Sequence, residues 1–252
     1  MFKPYHAVMI ALAVLALYSP LAARAAWVRA KIAALSSPPS LVFADINATV
    51  PSKGARPRLV LIGDSRISRW STDALAGRWE ILNRGIGGET AAQLAARFQS
   101  DAIALDPDVI VIEAGINDLV AASHLDAPSR QSIVQQTVDT LRGLAHRAAE
   151  SGCHVLLATI IPPARPEIWR LPVWNESVRD LVAEANTRLR RSQLPARTGV
   201  IDFSAALADA GDRWIPDAYR FDTLHLNAAG YQRLTVLLGP VLDDHSTRRQ
   251  PL

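Results

Sequence analysis

Four short polar segments carry residue types that suit nucleophilic catalysis, and they occupy residues 63–65, 83–90, 113–118 and 222–227. A serine such as Ser65, placed where a strand turns into a helix, can expose its hydroxyl beside unpaired helix N–H groups. A carboxylate three residues before a histidine, as Asp222 stands before His225, can accept the imidazole N–H and orient the ring as a base. Together these two segments offer the parts of an activated serine nucleophile.

The other two segments offer groups that can stabilise negative charge. Glycines at 85, 87 and 88 let the backbone approach a reacting group closely. Their resemblance to a dinucleotide-binding loop is incomplete, because Thr90 stands where a third glycine is needed. Asn117 follows an apolar run and can offer its amide N–H to a developing anion. Taken singly, the four segments also suit a helix N-cap, a tight turn, an Asn-Asp turn and a lone core histidine.

Cysteine and histidine usage argues against a metal centre or cofactor. Cys153 is the only cysteine in the sequence, so there is no internal disulfide framework and no multi-cysteine metal cluster. The histidines have no companions at metal-ligand spacing. We therefore expect no metal centre, and we expect no organic cofactor because an activated serine needs none.

The elements that must position these segments follow from alternating patterns. Apolar runs predict strands at 59–62, 80–82, 109–112, 154–160 and 200–203. Helical stretches lie between and after them, at 90–100, 129–151, 176–191 and 228–238. This alternation indicates an α/β fold, a parallel sheet covered by helices on both faces. Ligands of such sheets bind beyond the carboxyl ends of the strands, so the four polar segments are expected to converge there.

Composition bounds the rest of the chain. With 252 residues, 49% of them hydrophobic and 20% charged, the chain predicts one globular domain rather than a disordered or polytopic membrane protein. A net charge of +3 gives no nucleic-acid-binding pattern. We expect the α/β domain at residues 56–242, a linker at 26–55 and a polar tail at 243–252.

The first 25 residues indicate export. Lys3 precedes an uncharged apolar run at residues 7–18, and Ala23-Arg24-Ala25 offers a cleavage site for signal peptidase. The segment therefore reads as a signal peptide or, counting residues 7–23, as an uncleaved membrane anchor. Either reading places the domain outside the cytoplasm, in the periplasm or secreted.

Taken in order, these segments resemble the SGNH (GDSL-type) hydrolase family. The resemblance runs from residue 59 to about residue 238, and it includes Thr-Ile-Ile-Pro-Pro at 159–163 and Gly230-Tyr231 after the histidine. Glu89 departs from the family pattern, in which aspartate is common after that glycine. The residues before 56 lie outside the resemblance.

The resemblance implies a flavodoxin-like three-layer fold with five parallel strands in the order 2-1-3-4-5. It also implies that Ser65 is the nucleophile, that His225 is the general base and that Asp222 orients His225. The backbone N–H groups of Ser65 and Gly88, with the Asn117 side chain, would then form the oxyanion hole.

The predicted function is that of an exported serine esterase. Its substrate would be a short-chain ester, an O-acetylated carbohydrate or a lysophospholipid. One alternative is an O-acyltransferase that passes the acyl group to a sugar hydroxyl. Another is an inactive binding module, which the complete Ser, Gly, Asn and His set disfavours.

A segment rich in proline and tryptophan, residues 164–174, follows the fourth predicted strand and is expected at the same cleft edge. One interpretation packs both indoles, of Trp169 and Trp174, as a small satellite core. The other has at least one of them line the acyl or sugar pocket, since aromatic walls are usual in ligand clefts.

Overall fold

One five-stranded parallel sheet forms the centre of the computed structural model, which describes residues 20–208 and 214–247, except for the side chains of 244–247. The strands are β1 (Arg58–Gly63), β2 (Glu80–Gly85), β3 (Val109–Glu113), β4 (His154–Ala158) and β5 (Thr198–Ile201). Their order in the sheet is β2-β1-β3-β4-β5, and every pair is parallel. The predicted fold class and strand order are confirmed.

Helices cover the sheet on both faces. They are α1 (20–34), α2 (Ala44–Ala48), α3 (Ser65–Ser68), α4 (Ala91–Asp101), α5 (Ile116–Ala122), α6 (Ala127–Glu150), α7 (Ser177–Arg190), α8 (Phe203–Leu207) and α9 (Ala228–Thr247). Among the described residues, no helix is both long enough and apolar enough to cross a membrane.

The central strands read as continuous apolar runs because both of their faces are buried. In β1, Val60 and Ile62 pack with α4, α6 and α7, whereas Leu59 and Leu61 pack against the layer that contains α3 and α9. Successive side chains of a strand point to opposite faces, so a strand between two helix layers needs apolar residues at every position.

Strand register brings the carboxyl ends of three strands to one level. Gly63, the last residue of β1, pairs with Gly85 of β2 and with Glu113 of β3. The segments that begin directly after these residues therefore start side by side. They carry Ser65, the glycine-rich turn and Asn117, which is how the fold assembles residues far apart in sequence.

Several element ends differ from the predicted ones by a few residues, including that of β4, which ends at Ala158 rather than at 160. Strand β5 ends at Ile201 rather than at 203, because Asp202 caps α8 by accepting a hydrogen bond from the Ala205 N–H at 2.9 Å. Helix α9 continues to Thr247 and takes in part of the expected polar tail, whose residues 248–252 lie outside the described residues.

Residues expected to form a linker are instead partly helical and pack on the domain. The Trp27 ring meets His124 edge-on at 5.6 Å, and the Asn47 amide donates to Asp101 at 2.7 Å. Gln93 of α4 donates to the Pro38 carbonyl at 3.0 Å. The prolines and serines of this stretch suggested a linker, but a few large or polar side chains anchor it. Residues 1–19, most of the predicted signal peptide or anchor, lie outside the described residues.

We expect Gly85→Ala to destabilise the protein, because a Cβ at Gly85 would lie 2.1 Å from the Ser68 nitrogen in α3. Overpacking of this kind typically costs about 1–3 kcal/mol, and here it would also displace the turn that carries Ser65. The measurement is the melting temperature together with esterase activity.

Gly143→Ala is the matched control, since a Cβ at Gly143 on α6 would meet no atom within 4 Å. Alanine in a helix should stabilise the protein by about 0.5–1 kcal/mol relative to glycine. Equal melting temperatures for the two variants would contradict the close-packing role of Gly85.

Candidate active site

Ser65, His225 and Asp222 form one hydrogen-bonded chain. The Ser65 hydroxyl donates to Nε2 of His225 at 2.9 Å, and Nδ1 of His225 donates to the Asp222 carboxylate oxygens at 2.8 and 3.0 Å. Ser65 is the first residue of α3, whose N-cap Asp64 accepts from the Arg66 N–H at 2.9 Å. The structure thus brings together three of the residues that the sequence singled out, in the geometry of an activated serine.

The Asp222 carboxylate also shapes the loop that carries the histidine. Its Oδ1 accepts the backbone N–H groups of Leu224 at 2.7 Å and of His225 at 2.9 Å. Burial acts to raise the pKa of Asp222, but the hydrogen bonds from His225 and the Leu224 N–H outweigh it and hold that pKa below its usual value. Asp222 is therefore an anion that fixes both the loop and the ring orientation.

The His225 imidazole is neutral and can act as a base. Burial lowers its pKa, and Asp222 offsets that effect only in part, while the nearby guanidinium groups of Arg69 and Arg66 lower it further. With its pKa below the ordinary 6.5, the imidazole is unprotonated at neutral pH and can accept the Ser65 proton.

Three potential oxyanion donors lie around this chain. The Ser65 N–H belongs to the first turn of α3, where a helix supplies no acceptor for its own N–H groups. Gly88 has a φ of +79°, a conformation that glycine adopts without strain, and it belongs to the turn that leads from β2 to α4. A Cβ at neighbouring Gly87 would be 4.0 Å from Cβ of Ser65, so this turn lies against the nucleophile.

Asn117 and Asp118 hold the glycine-rich turn from the side of β3. The Asn117 amide donates to the Glu89 carbonyl at 3.0 Å, which leaves its second amide hydrogen for a ligand. Asp118 accepts the Ala91 N–H at 3.0 and 3.2 Å and so caps α4. Because Asn117 bonds directly to the residue after Gly88, its amide and the Gly88 N–H are positioned as one unit.

Arg66 was not identified from the sequence, yet it ties the nucleophile to the base. Its side chain is 1% exposed, and its Nε donates to the Leu224 carbonyl at 2.9 Å, directly before His225. Its two terminal nitrogens donate to the Ile161 and Pro162 carbonyls after β4. The sequence does not reveal this role, because an arginine in the first turn of a helix is usually exposed to solvent and is not expected to be buried.

Two buried carboxyl groups accompany Arg66. Asp64 and Glu113 are both 0% exposed, and an Oε1 of Glu113 lies 3.6 Å from the Arg66 guanidinium. Burial, followed by the charge of Asp64, raises the pKa of Glu113 to about 8, although Arg66 opposes the shift. At neutral pH Glu113 therefore holds a proton, and burial raises the pKa of Asp64 as well.

The segment 164–174 contacts the site through Arg170 rather than through either tryptophan. Arg170 places Nη2 3.7 Å from Oδ2 of Asp222. Trp174 is 8% exposed and packs in the hydrophobic core, whereas Trp169, beside Arg170, is 76% exposed. The structure therefore gives Trp174 a packing role, and substrate contact by Trp169 stays a prediction. A carboxylate such as that of Asp222 often has an arginine nearby, but the sequence does not show which arginine lies close to it in the fold.

Known proteins share this arrangement of elements. A family model described as GDSL-like lipase/acylhydrolase matches residues 54–233. A GDSL-like lipase of Bacteroides thetaiotaomicron is 21% identical, with 80% of this chain and 96% of that chain covered and a TM-score of 0.63. An acetylxylan esterase of Geobacillus stearothermophilus is 21% identical over 75% of this chain and 94% of that chain, with a TM-score of 0.52. No curated protein sequence matches significantly.

Glu113→Gln should weaken the pH dependence of stability. The unfolded chain releases the Glu113 proton near pH 4.5, whereas the folded protein keeps it up to about pH 8. The stabilisation from this group is full below the lower value and is lost as pH rises towards the higher one. We expect the melting temperature of the wild type to fall more between these pH values than that of Glu113→Gln.

Asp118, whose pKa burial raises to about 7, remains in the variant, so the slope should decrease without vanishing. The exposed Glu150→Gln on α6 is the control and should keep the wild-type slope. Parallel curves for the wild type and Glu113→Gln would show that Glu113 is ionised in the folded protein.

Proposed function

The chain belongs to the GDSL-like lipase/acylhydrolase family and is a carboxylic-ester hydrolase; we propose that it is exported and works through an acyl-enzyme on Ser65. The observation that carries the proposal is the unbroken hydrogen-bonded chain from the Ser65 hydroxyl through His225 to Asp222. A hydroxyl becomes an effective nucleophile when an adjacent base can take its proton, and this chain supplies such a base.

In the first step, Oγ of Ser65 attacks the ester carbonyl carbon while Nε2 of His225 takes the hydroxyl proton. The carbonyl electron pair moves onto its oxygen and gives a tetrahedral oxyanion. Asp222 stabilises the imidazolium that forms and keeps Nδ1 as the donor, so that Nε2 faces the serine.

The oxyanion would be stabilised by the N–H groups of Ser65 and Gly88 and by the free amide hydrogen of Asn117. One such donor is typically worth about 3–4 kcal/mol of transition-state stabilisation. Since Asn117 is anchored on the Glu89 carbonyl, its donor needs no reorganisation when charge develops.

Collapse of the oxyanion breaks the bond to the leaving oxygen, which receives the proton from His225. Water then attacks the acyl-enzyme, with His225 as base again, and a second collapse releases the acid and restores the Ser65 hydroxyl. Each proton that His225 accepts is returned within the same half-reaction, so the cycle consumes only ester and water.

Ser65→Ala should reduce ester hydrolysis by a factor of at least about 10³ without lowering the melting temperature, because it removes the nucleophile and few contacts. The assay is 4-nitrophenyl acetate hydrolysis, with mass spectrometry of the peptide that contains Ser65 to detect the bound acetyl group. Ser68→Ala, an exposed serine on the same helix, is the matched control and should keep wild-type activity.

Retention of more than about one-tenth of the activity in Ser65→Ala would refute the nucleophile assignment. The same assay with added oligosaccharide separates hydrolysis from acyl transfer. An acetylated oligosaccharide in place of free acetate would assign the chain to acyl transfer.

Export is supported by the order of Lys3, the apolar run 7–18 and the small-residue site at 23–25. Leu15→Arg, which puts a charge inside the run, should trap the protein in the cytoplasm, whereas Ser52→Arg should not. Cell fractionation measures both, and a new N-terminus near residue 26 distinguishes a cleaved signal peptide from an anchor. Wild-type protein found only in the cytoplasm would contradict export.

A further inference from the structure

A groove of about 650 Å³ lies beside His225, within the size range of small-molecule sites. One wall carries Arg69, Ser71 and Asp73, and the other carries Phe221 and Leu226. Apart from the effect of Arg69 on the pKa of His225, the reaction described above gives these residues no role. The groove is mostly apolar with a few polar groups, which is the usual character of a ligand site.

Both walls of the groove are tied to the reacting residues. The Arg69 N–H donates to the Ser65 carbonyl at 3.1 Å, one helical turn along from the nucleophile. The Phe221 N–H donates to the His225 carbonyl at 2.8 Å, and Leu226 directly follows His225. A ligand in the groove is therefore held in a fixed relation to Ser65 and His225.

The reaction itself determines which part of an ester lies on this side. The acyl oxygen must face the Ser65, Gly88 and Asn117 donors, and the leaving oxygen must face Nε2 of His225 to receive its proton. The alcohol part of the ester consequently extends past His225. The groove is lined by Leu226, the residue after His225, and by Arg69, whose charge acts on the His225 imidazole. It is therefore the space next to His225 that an alcohol part can enter.

The groove carries an arginine without a carboxylate partner. Within the described part of the chain, no acidic side chain pairs with Arg69, whose guanidinium carbon lies 5.9 Å from the centre of the Phe221 ring. Phe221 is 69% exposed, so most of its ring is accessible to a ligand. Farther along, the Ser71 hydroxyl donates to Asp73 at 2.9 Å.

These groups match an acidic sugar. A guanidinium pairs with a carboxylate, an exposed aromatic ring packs against the C–H face of a sugar ring, and serine and aspartate oxygens accept from sugar hydroxyls. A lysophospholipid also carries an anion, but its glycerol part offers fewer hydroxyl groups to Ser71 and Asp73 than a sugar does. The combination therefore favours a carbohydrate over a lipid.

We propose that Arg69 and Phe221 form the alcohol-side subsite of this esterase and select acyl esters of acidic, carboxylate-bearing sugars. This inference rests on the proposed function, because it locates the alcohol part from the roles of Ser65 and His225. It adds a substrate class and two specificity residues to that reaction.

The test compares kcat/KM for an acetylated oligogalacturonide, an acetylated xylooligosaccharide of equal length and ethyl acetate. Arg69→Gln should lower the ratio of the acidic to the neutral sugar ester by about tenfold or more, mainly through KM. Phe221→Leu should lower both sugar esters about fivefold relative to ethyl acetate, because leucine keeps apolar bulk but has no ring face.

Arg147→Gln is the matched control, since Arg147 is also exposed and also lies 5.9 Å from a phenylalanine ring, that of Phe98, on a helix away from the site. It should keep the wild-type ratio. An unchanged acidic-to-neutral ratio in Arg69→Gln, or an effect on lysophospholipid hydrolysis alone, would overturn the subsite. Failure to cleave even ethyl acetate and 4-nitrophenyl acetate would instead overturn the proposed function.

Discussion

A single buried guanidinium holds the reacting serine and histidine at their working distance. Ser65 and His225 are far apart in the chain, and residues 214–227, which contain His225, form turns and isolated bridges rather than a helix or strand. Arg66 adjoins the nucleophile and donates to the carbonyl next to His225 and to two carbonyls after β4. A planar group with five N–H donors can serve several acceptors at once, which a lysine ammonium in the same place could not match.

Burial of this guanidinium requires compensating charge, and the surrounding core supplies it. Asp64 and Glu113 both lie in the interior, but two carboxylates against one guanidinium would leave a net buried charge. Protonation of Glu113 up to about pH 8 removes that excess. Burial and the charge of Asp64 raise this pKa while Arg66 opposes the shift, so Glu113 needs no part in the chemistry to account for it.

A second buried arginine supports the glycine-rich turn, which contains the proposed oxyanion donor Gly88. Arg97 of α4 donates to Glu89 at 2.6 Å and to the Arg84 carbonyl at 2.8 Å, and so holds the turn that contains Gly88. Phe43, from the segment before the family match, lies with its ring centre 4.8 Å from the Arg84 guanidinium and 5.8 Å from that of Arg97. The segment that contains Phe43 therefore packs against the two arginines that support the turn of Gly88, a proposed oxyanion donor.

The contrast between what the sequence predicted and what it missed has a physical origin. The parallel sheet and the convergence of Ser65, Asn117 and His225 followed from local signals, since apolar runs mark strands and each polar segment directly follows one or lies in the last loop, whereas the strand order came from the family resemblance. Arg66, Arg97 and Phe43 act through neighbours distant in sequence, and an arginine or phenylalanine has the same local pattern whether it is solvated or buried. Trp174 is a further example, because the sequence was compatible with an indole in a pocket or in the core, and the structure has it in the core. Local pattern thus predicts the groups that react, whereas the groups that hold them in place depend on contacts that only the folded chain brings together.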